Sequence, residues 1–302
     1  MFLWVLVGLS RRASLELAAV SIVPEEGRVR QRARAAVSTV AEEHRVRQRV
    51  REAIAAEPGL AGKLVRLAFH DSVRGRPNGS VRYELQDPEN VGLAVPLAVV
   101  EELCGHLSTA DAIALAAAEA LAAAGGPIVP VRLGRRDASE ADARFLRHPI
   151  GSGNERDVVR TALPSPGLST VGIRRFFGRR LGFSDEETVA LMGAHTLGRH
   201  VSLLGMSKPC LRNLTRACLE AAPVRLPFVA TAPDTFDNSY FVQLLRWEDG
   251  TIERGAAAFI PTDVALVLDD RYHKYVEIFA RDETRFARVF ARAFSKLLNA
   301  GF

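Results

Sequence analysis

The sequence predicts an all-α protein, and three features carry that expectation. Alanine-rich runs such as Ala114 to Ala124 favour helix, because alanine has no side-chain entropy to lose. Alternating β-branched stretches, the mark of half-buried strands, are scarce. Ser108 and Ser184 each stand just before a helical pattern as N-caps, and Ser184 has Glu187 placed to complete a capping box.

A chain of 302 residues, 48% hydrophobic and 25% charged, can bury a large core as one domain or two lobes. The net charge of +5 is uneven, since residues 1–52 hold ten Arg against six Glu, a net +4. The basic balance therefore belongs to an N-terminal arm. That arm lacks clustered aromatics to stack bases, so nucleic-acid binding is not expected. Cys104, Cys210 and Cys218 lack zinc-type spacing. Free thiols are the expectation, and a Cys210–Cys218 pair stays open for an oxidising compartment.

Met1 to Leu9 is apolar but too short to span a bilayer, so no membrane span is expected. Ser10-Arg11-Arg12 ahead of the small and apolar residues Ala13 to Val23 resembles a twin-arginine or thylakoid-transfer signal. Residues 1–40 are read as an N-terminal extension and 41–302 as the folded domain. The expected home is the chloroplast, in the thylakoid lumen, with the cytoplasm as the alternative. A short duplication follows: Glu25-Glu26-Gly27-Arg28-Val29-Arg30-Gln31-Arg32 is echoed by Glu42-Glu43-His44-Arg45-Val46-Arg47-Gln48-Arg49. Acidic residues ahead of basic ones suit the helix dipole, and two consecutive helical segments are predicted, the second over 41–56. Pro58-Gly59 ends it.

The next helix carries Leu64-Val65-Arg66-Leu67-Ala68-Phe69-His70-Asp71. Arg66 and His70 lie one turn apart and project from one face, a permanent cation beside an imidazole that titrates near neutrality. Such a pair is usually a solvated helix face; it can also move a proton while negative charge develops beside it. Pro77-Asn78-Gly79-Ser80 has turn chemistry. Helices are predicted over 91–107 and 109–124, and Gly125-Gly126-Pro127 stops the second. The chain is loop-like through Pro166-Gly167. Helices are predicted again over 169–180 and 184–195. An irregular region with one short helix spans 209–233, and helices over 238–247 and 272–298 close the chain.

Several of these segments, in this order, resemble the plant, fungal and bacterial haem peroxidase superfamily over residues 45–302. The likeness is greatest to its ascorbate-peroxidase-like branch, with some features similar to secretory plant peroxidases. Val65 to His70 resembles the distal haem helix, and Pro77 to Arg82 the loop that follows. Ser108 to Ala117, Gly125-Gly126-Pro127 with Gly134-Arg135, and Leu163 to Pro166 come next. Ala190 to Gly198 resembles the proximal ligand motif, and Phe236 to Phe241 and Pro261-Thr262-Asp263 complete the set. The resemblance implies a two-lobed fold with haem b between distal and proximal helices. It implies reduction of hydrogen peroxide to water with one-electron oxidation of a small organic reductant, phenolic or ascorbate-like. The alternative is a haem-free or inactive homologue with a structural or interaction role.

Roles follow from the resemblance and the chemistry. His70 is the expected general base and Arg66 the stabiliser of the departing oxygen's charge. Glu84 and Asn90 match a relay in which the Asn90 side chain takes the His70 N–H. His195 is the expected iron ligand, with its other nitrogen held by Asp263. Phe69, Pro164 and Phe228 are expected to line the cofactor. Thr196, Thr231 and Asp237 resemble the oxygen ligands of a proximal K+ or Ca2+, although Val229 replaces a carboxylate there, which favours K+ or no ion. Departures bear on the reductant. Phe69 and Phe228 stand where the ascorbate-oxidising relatives carry Trp, and Leu204 and Pro58 replace the two cations that hold ascorbate.

Overall fold

The computed structural model describes residues 25–73, 76–142, 163–164, 166–202, 204–213, 215–229, 231–252 and 257–302. The N-terminal stretch 1–24, with its targeting-signal reading, lies outside the described residues. Helix α1 (Glu25–Ala56) is continuous, where the duplication predicts two segments. No Gly or Pro falls between the two copies, so nothing interrupts the backbone ladder. No helix among the described residues is long and apolar enough to cross a membrane.

Within the compact body Ala41–Phe302, α2 (Leu60–Val73) starts after the Pro58-Gly59 turn and buries Leu60, Leu64, Leu67 and Ala68. It packs on α4 (Thr109–Ala123), which is buried from Thr109 to Leu121 because its alanines allow close approach on every side. Helix α3 (Ala94–Leu103) is shorter than the predicted 91–107, since turns at Val91-Gly92 and Gly105-His106 trim both ends. The Ser108 cap forms as predicted, with Oγ accepting the Asp111 N–H at 3.1 Å. Asp137 accepts the Thr109 and Ala110 N–H groups at 3.0 and 2.9 Å. Asp111 accepts the N–H groups of Gly134 and Arg135 and pairs with the buried Arg135 guanidinium at 2.8 Å. The segment that reads as loop is thus fastened to α4.

Helix α5 (Thr170–Ile173) widens into π turns through Arg180 and buries Phe176 and Phe177. The capping box at Ser184 starts α6 (Asp185–Met192), and a 3-10 turn, Gly193–Thr196, carries His195. A Cβ on Gly193 would come within 2.5 Å of the Phe286 ring, so only glycine lets this turn approach the aromatic core.

The sequence predicts one short helix over 209–233, and the structure departs from this. Strands β1 (Arg199–Val201) and β2 (Arg225–Pro227) form an antiparallel ribbon. Two short helices, α7 (Lys208–Arg212) and α8 (Arg216–Glu220), connect its strands. Pro209 opens the first helix, and Thr215 caps the second by accepting the Cys218 N–H. The expectation of free thiols at Cys210 and Cys218 is also corrected: they form a disulfide with Cα atoms 5.5 Å apart. Neither helix buries a residue, so this cross-link supplies what a core would. Cys104 is free.

The chain ends with α9 (Ser239–Glu248), α10 (Pro261–Val267), α11 (Asp270–Arg281) and α12 (Glu283–Leu298). The sequence pattern predicts one helix over 272–298. Asp282 leaves helical φ/ψ and caps α12 through the Arg285 N–H at 2.8 Å, which divides it. Phe236, Phe241, Phe279, Phe286 and Phe290 form a buried ring cluster between α9, α11 and α12. Fixed by many ring contacts, this cluster is a rigid backing for the turn at His195.

Candidate active site with two histidines

Helix α2 places His70 on its buried face, and the structure brings Asn90 to it. His70 Nδ1 lies 2.7 Å from Asn90 Oδ1. Asn90 Nδ2 donates to the main-chain carbonyl of Glu84 at 2.7 Å, which fixes the amide's orientation. Oδ1 must then accept, Nδ1 of His70 must carry the proton, and the ring's lone pair sits on Nε2. Glu84 thus meets Asn90 through its main-chain carbonyl.

Arg66, one turn earlier, donates to the carbonyls of Val91 at 2.8 Å and of Glu89. Its surface still meets solvent, but protein crowds it on most sides. Burial first, and then the charge of Arg225, lowers its pKa to about 10. It stays a cation at neutral pH, held by neutral partners and so with its charge available. Phe69 packs edge-on to His70 and stacks on Phe177, with ring centroids 6.0 and 6.3 Å away.

Asp71, next to His70, is fully buried and accepts the N–H groups of Gly79 and Val81 at 3.0 and 3.4 Å. Burial, aided by the nearby Glu84 carboxylate, raises its pKa from 3.8 to about 6 despite those hydrogen bonds. The native state therefore binds this proton more tightly than the unfolded chain does. Stability from this group is fully present below pH 4 and declines as pH rises towards 6 and beyond. A shift of this size is worth about 3 kcal/mol. Urea titrations between pH 4 and 7 should show that decline in the wild type, and Asp71→Asn should lack this component.

His195 Nδ1 lies 2.7 Å from Asp263 Oδ1. Asp263 has no solvent exposure, and its carboxylate is held three ways. Oδ1 also accepts the Tyr240 hydroxyl at 2.8 Å, and Oδ2 accepts the Ile260 N–H at 2.9 Å. Burial, then the adjacent Asp263 charge, drives the Tyr240 pKa well above 10, so the phenol remains a donor. Phe228 stacks flat on the His195 ring, with centroids 4.1 Å apart and planes 9° apart. Tyr240 covers another side edge-on at 6.0 Å. The imidazole is 27% exposed, and its Nε2 makes no hydrogen bond among the described residues.

The sequence reading missed one contributor, Tyr240. Tyr240 sits in the Phe236-to-Phe241 motif, but no spacing rule links it to Asp263, which α10 brings from farther along the chain. Pro164 lies outside helix and strand, and the Pro166 carbonyl accepts the Thr262 N–H of α10 at 3.1 Å. Thr196 donates to Asp237 at 2.9 Å, whereas Thr231 accepts from Gln243 at 3.0 Å.

Two imidazoles thus present lone pairs at Nε2, each aligned by an acceptor on Nδ1. No group of three or more His, Cys, Asp or Glu suited to a bare metal ion occurs among the described residues. The donor set is one histidine with a carboxylate behind it, which fits an iron whose other ligands come from a macrocycle.

The family model described as Peroxidase matches residues 46–282. The chain is 34% identical over 259 residues to a protein named putative L-ascorbate peroxidase 6 of Arabidopsis thaliana, covering 80% of this chain and 64% of that protein. A putative heme-binding peroxidase of Cryptococcus neoformans var. neoformans is 35% identical over 264 residues, 79% of this chain and 71% of its own. The peroxisomal L-ascorbate peroxidase 5 of Arabidopsis thaliana is 33% identical over 251 residues, 79% of this chain and 75% of its own. The chain thus spans a little under two thirds of the first of these relatives and about three quarters of the other two.

Proposed function

The chain belongs to the haem peroxidase superfamily, on its ascorbate-peroxidase-like branch, and from this we propose that it reduces hydrogen peroxide to water at a haem b held by His195. The observation that carries the reading is the matched pair of imidazoles, His70 on Asn90 and His195 on Asp263, each at 2.7 Å. Haem, when bound, supplies the redox chemistry. His70 accepts a proton from peroxide at Nε2 and returns it to the departing oxygen. Arg66 stabilises the negative charge that develops there. Asp263 holds the His195 tautomer and strengthens it as a donor, while Tyr240 and the Ile260 N–H limit how far the proton shifts. The scaffold alternative is not favoured, because the relatives are named as peroxidases and the acid–base groups are assembled.

The reductant is a small phenol in preference to ascorbate. Leu204 is exposed and Pro58 lies at the turn before α2, and neither supplies a cation. A monovalent cation on Asp237, Thr196 and Thr231 belongs to the same reading, since one carboxylate with hydroxyls suits K+ better than Ca2+. An organelle location is supported by relatives named peroxisomal and chloroplastic. The test is steady-state turnover of the haem-loaded chain with peroxide. A higher kcat/KM for simple phenols than for ascorbate is expected; a clear preference for ascorbate would overturn the donor assignment.

A further inference from the structure

The middle residue of β1, His200, reaches across to the segment that leads into α10. Its Nε2 lies 2.7 Å from the main-chain carbonyl of Ala258, and since a carbonyl can only accept, Nε2 donates. Nδ1 lies 3.1 Å from the Val201 carbonyl, so both ends of the ring are set against backbone. Phe228, directly after β2, carries rings on two sides. His195 stacks on it with centroids 4.1 Å apart, and His200 leans on it at 4.8 Å and 48°. The two imidazoles make no ring contact with each other among the described residues, so Phe228 separates them.

The segment that His200 reaches also supplies a donor to Asp263. Val229 bridges Ala257 as an antiparallel pair, and the Ala258 N–H meets the Phe228 carbonyl at 3.4 Å. Two residues on, the Ile260 N–H donates to Asp263 Oδ2 at 2.9 Å, and Phe259 packs edge-on to Tyr240 at 5.9 Å. A contact of 3.4 Å is long for an N–H to carbonyl bond, so the main chain alone joins these segments loosely. The His200 bond is the shorter tie between β1 and this segment. One side chain thus acts on both groups that set His195: the ring stacked on it and, through Ile260, the carboxylate behind it.

We propose that His200 is a positioning residue for the proximal histidine. Its bond to Ala258 clamps Phe228 against His195 and holds the Ile260 N–H on Asp263. The proposal rests on the assignment of His195 as haem ligand. Asp263 makes His195 a stronger donor, which favours the oxidised metal. Loosening Asp263 should therefore raise the reduction potential of bound haem.

Three variants test this. His200→Ala removes the clamp, and His200→Phe keeps a ring against Phe228 but donates nothing. His200→Gln keeps an N–H able to reach Ala258. Two quantities are read. In the full chain, whatever its haem content, hydrogen exchange at the Ile260 amide should quicken about two- to tenfold in His200→Ala and His200→Phe. That is the worth of one neutral hydrogen bond, and His200→Gln should return it towards the wild-type rate. In the haem-loaded chain the midpoint potential should rise by up to about 59 mV, the one-electron equivalent of tenfold, with the same recovery in His200→Gln.

Unchanged exchange in His200→Ala and His200→Phe overturns the clamp and leaves the peroxidase reading standing. Quickened exchange with an unmoved potential overturns the positioning role, as does a His200→Gln chain that behaves like His200→Ala. If His200→Ala does not fold, His200→Phe, which fills the same space, decides. A wild-type chain that takes up no haem removes the peroxidase reading and this role with it.

Discussion

Replacing His70 with Leu should slow the reaction with hydrogen peroxide by at least about 10² to 10⁴-fold while haem remains bound. Positioned acid–base catalysis is worth roughly that much. His70 is the distal group with a lone pair aimed by a fixed partner, because Asn90 holds its Nδ1 at 2.7 Å and Glu84 holds Asn90. Leucine is close in volume to imidazole and suits a site walled by Phe69 and the core of α2, so the fold should tolerate it. Arg66 remains, and its electrostatic contribution should leave some residual rate. Stopped-flow mixing with peroxide in excess measures the effect. A rate near that of the wild type would mean that another base takes the proton.

The second large effect is at His195. His195→Ala should abolish stable haem retention, because the side chain placed to bond the iron is removed. The damage extends behind the ligand. Asp263 is fully buried and would lose one of its three donors, keeping only Tyr240 and the Ile260 N–H. A buried carboxylate deprived of a partner costs about 1–3 kcal/mol or more. The apo variant should therefore also unfold at lower urea than the apo wild type. Gel filtration after haem loading, with absorbance read at the haem band, gives the first result. Retention equal to the wild type would place the iron ligand elsewhere.

What was legible in the sequence was mainly local. The caps at Ser108 and Ser184, the helix of Arg66 and His70, and the alanine helix that it packs on follow from spacing and propensity within a few residues. Pairings across the chain became legible through the family's motif order, and His195 with Asp263 is the clearest case. The remainder depends on tertiary contacts that no periodicity encodes. Asp282 divides one amphipathic stretch into two helices through a cap that competes with the helical ladder. Cys210 and Cys218 meet because two short helices, each started by its own local signal, turn back on one another. Tyr240 reaches Asp263 only once α9 and α10 are packed together.

The most direct measurement is an absorption titration of the purified apo chain with haem. Uptake should stop at one haem per chain with a histidine-ligated Soret band, and addition of hydrogen peroxide should change that band before any reductant is present. A titration with no saturable uptake, or a loaded protein whose band is indifferent to peroxide, would contradict the assignment of His195 and His70 to the two sides of a peroxidase haem.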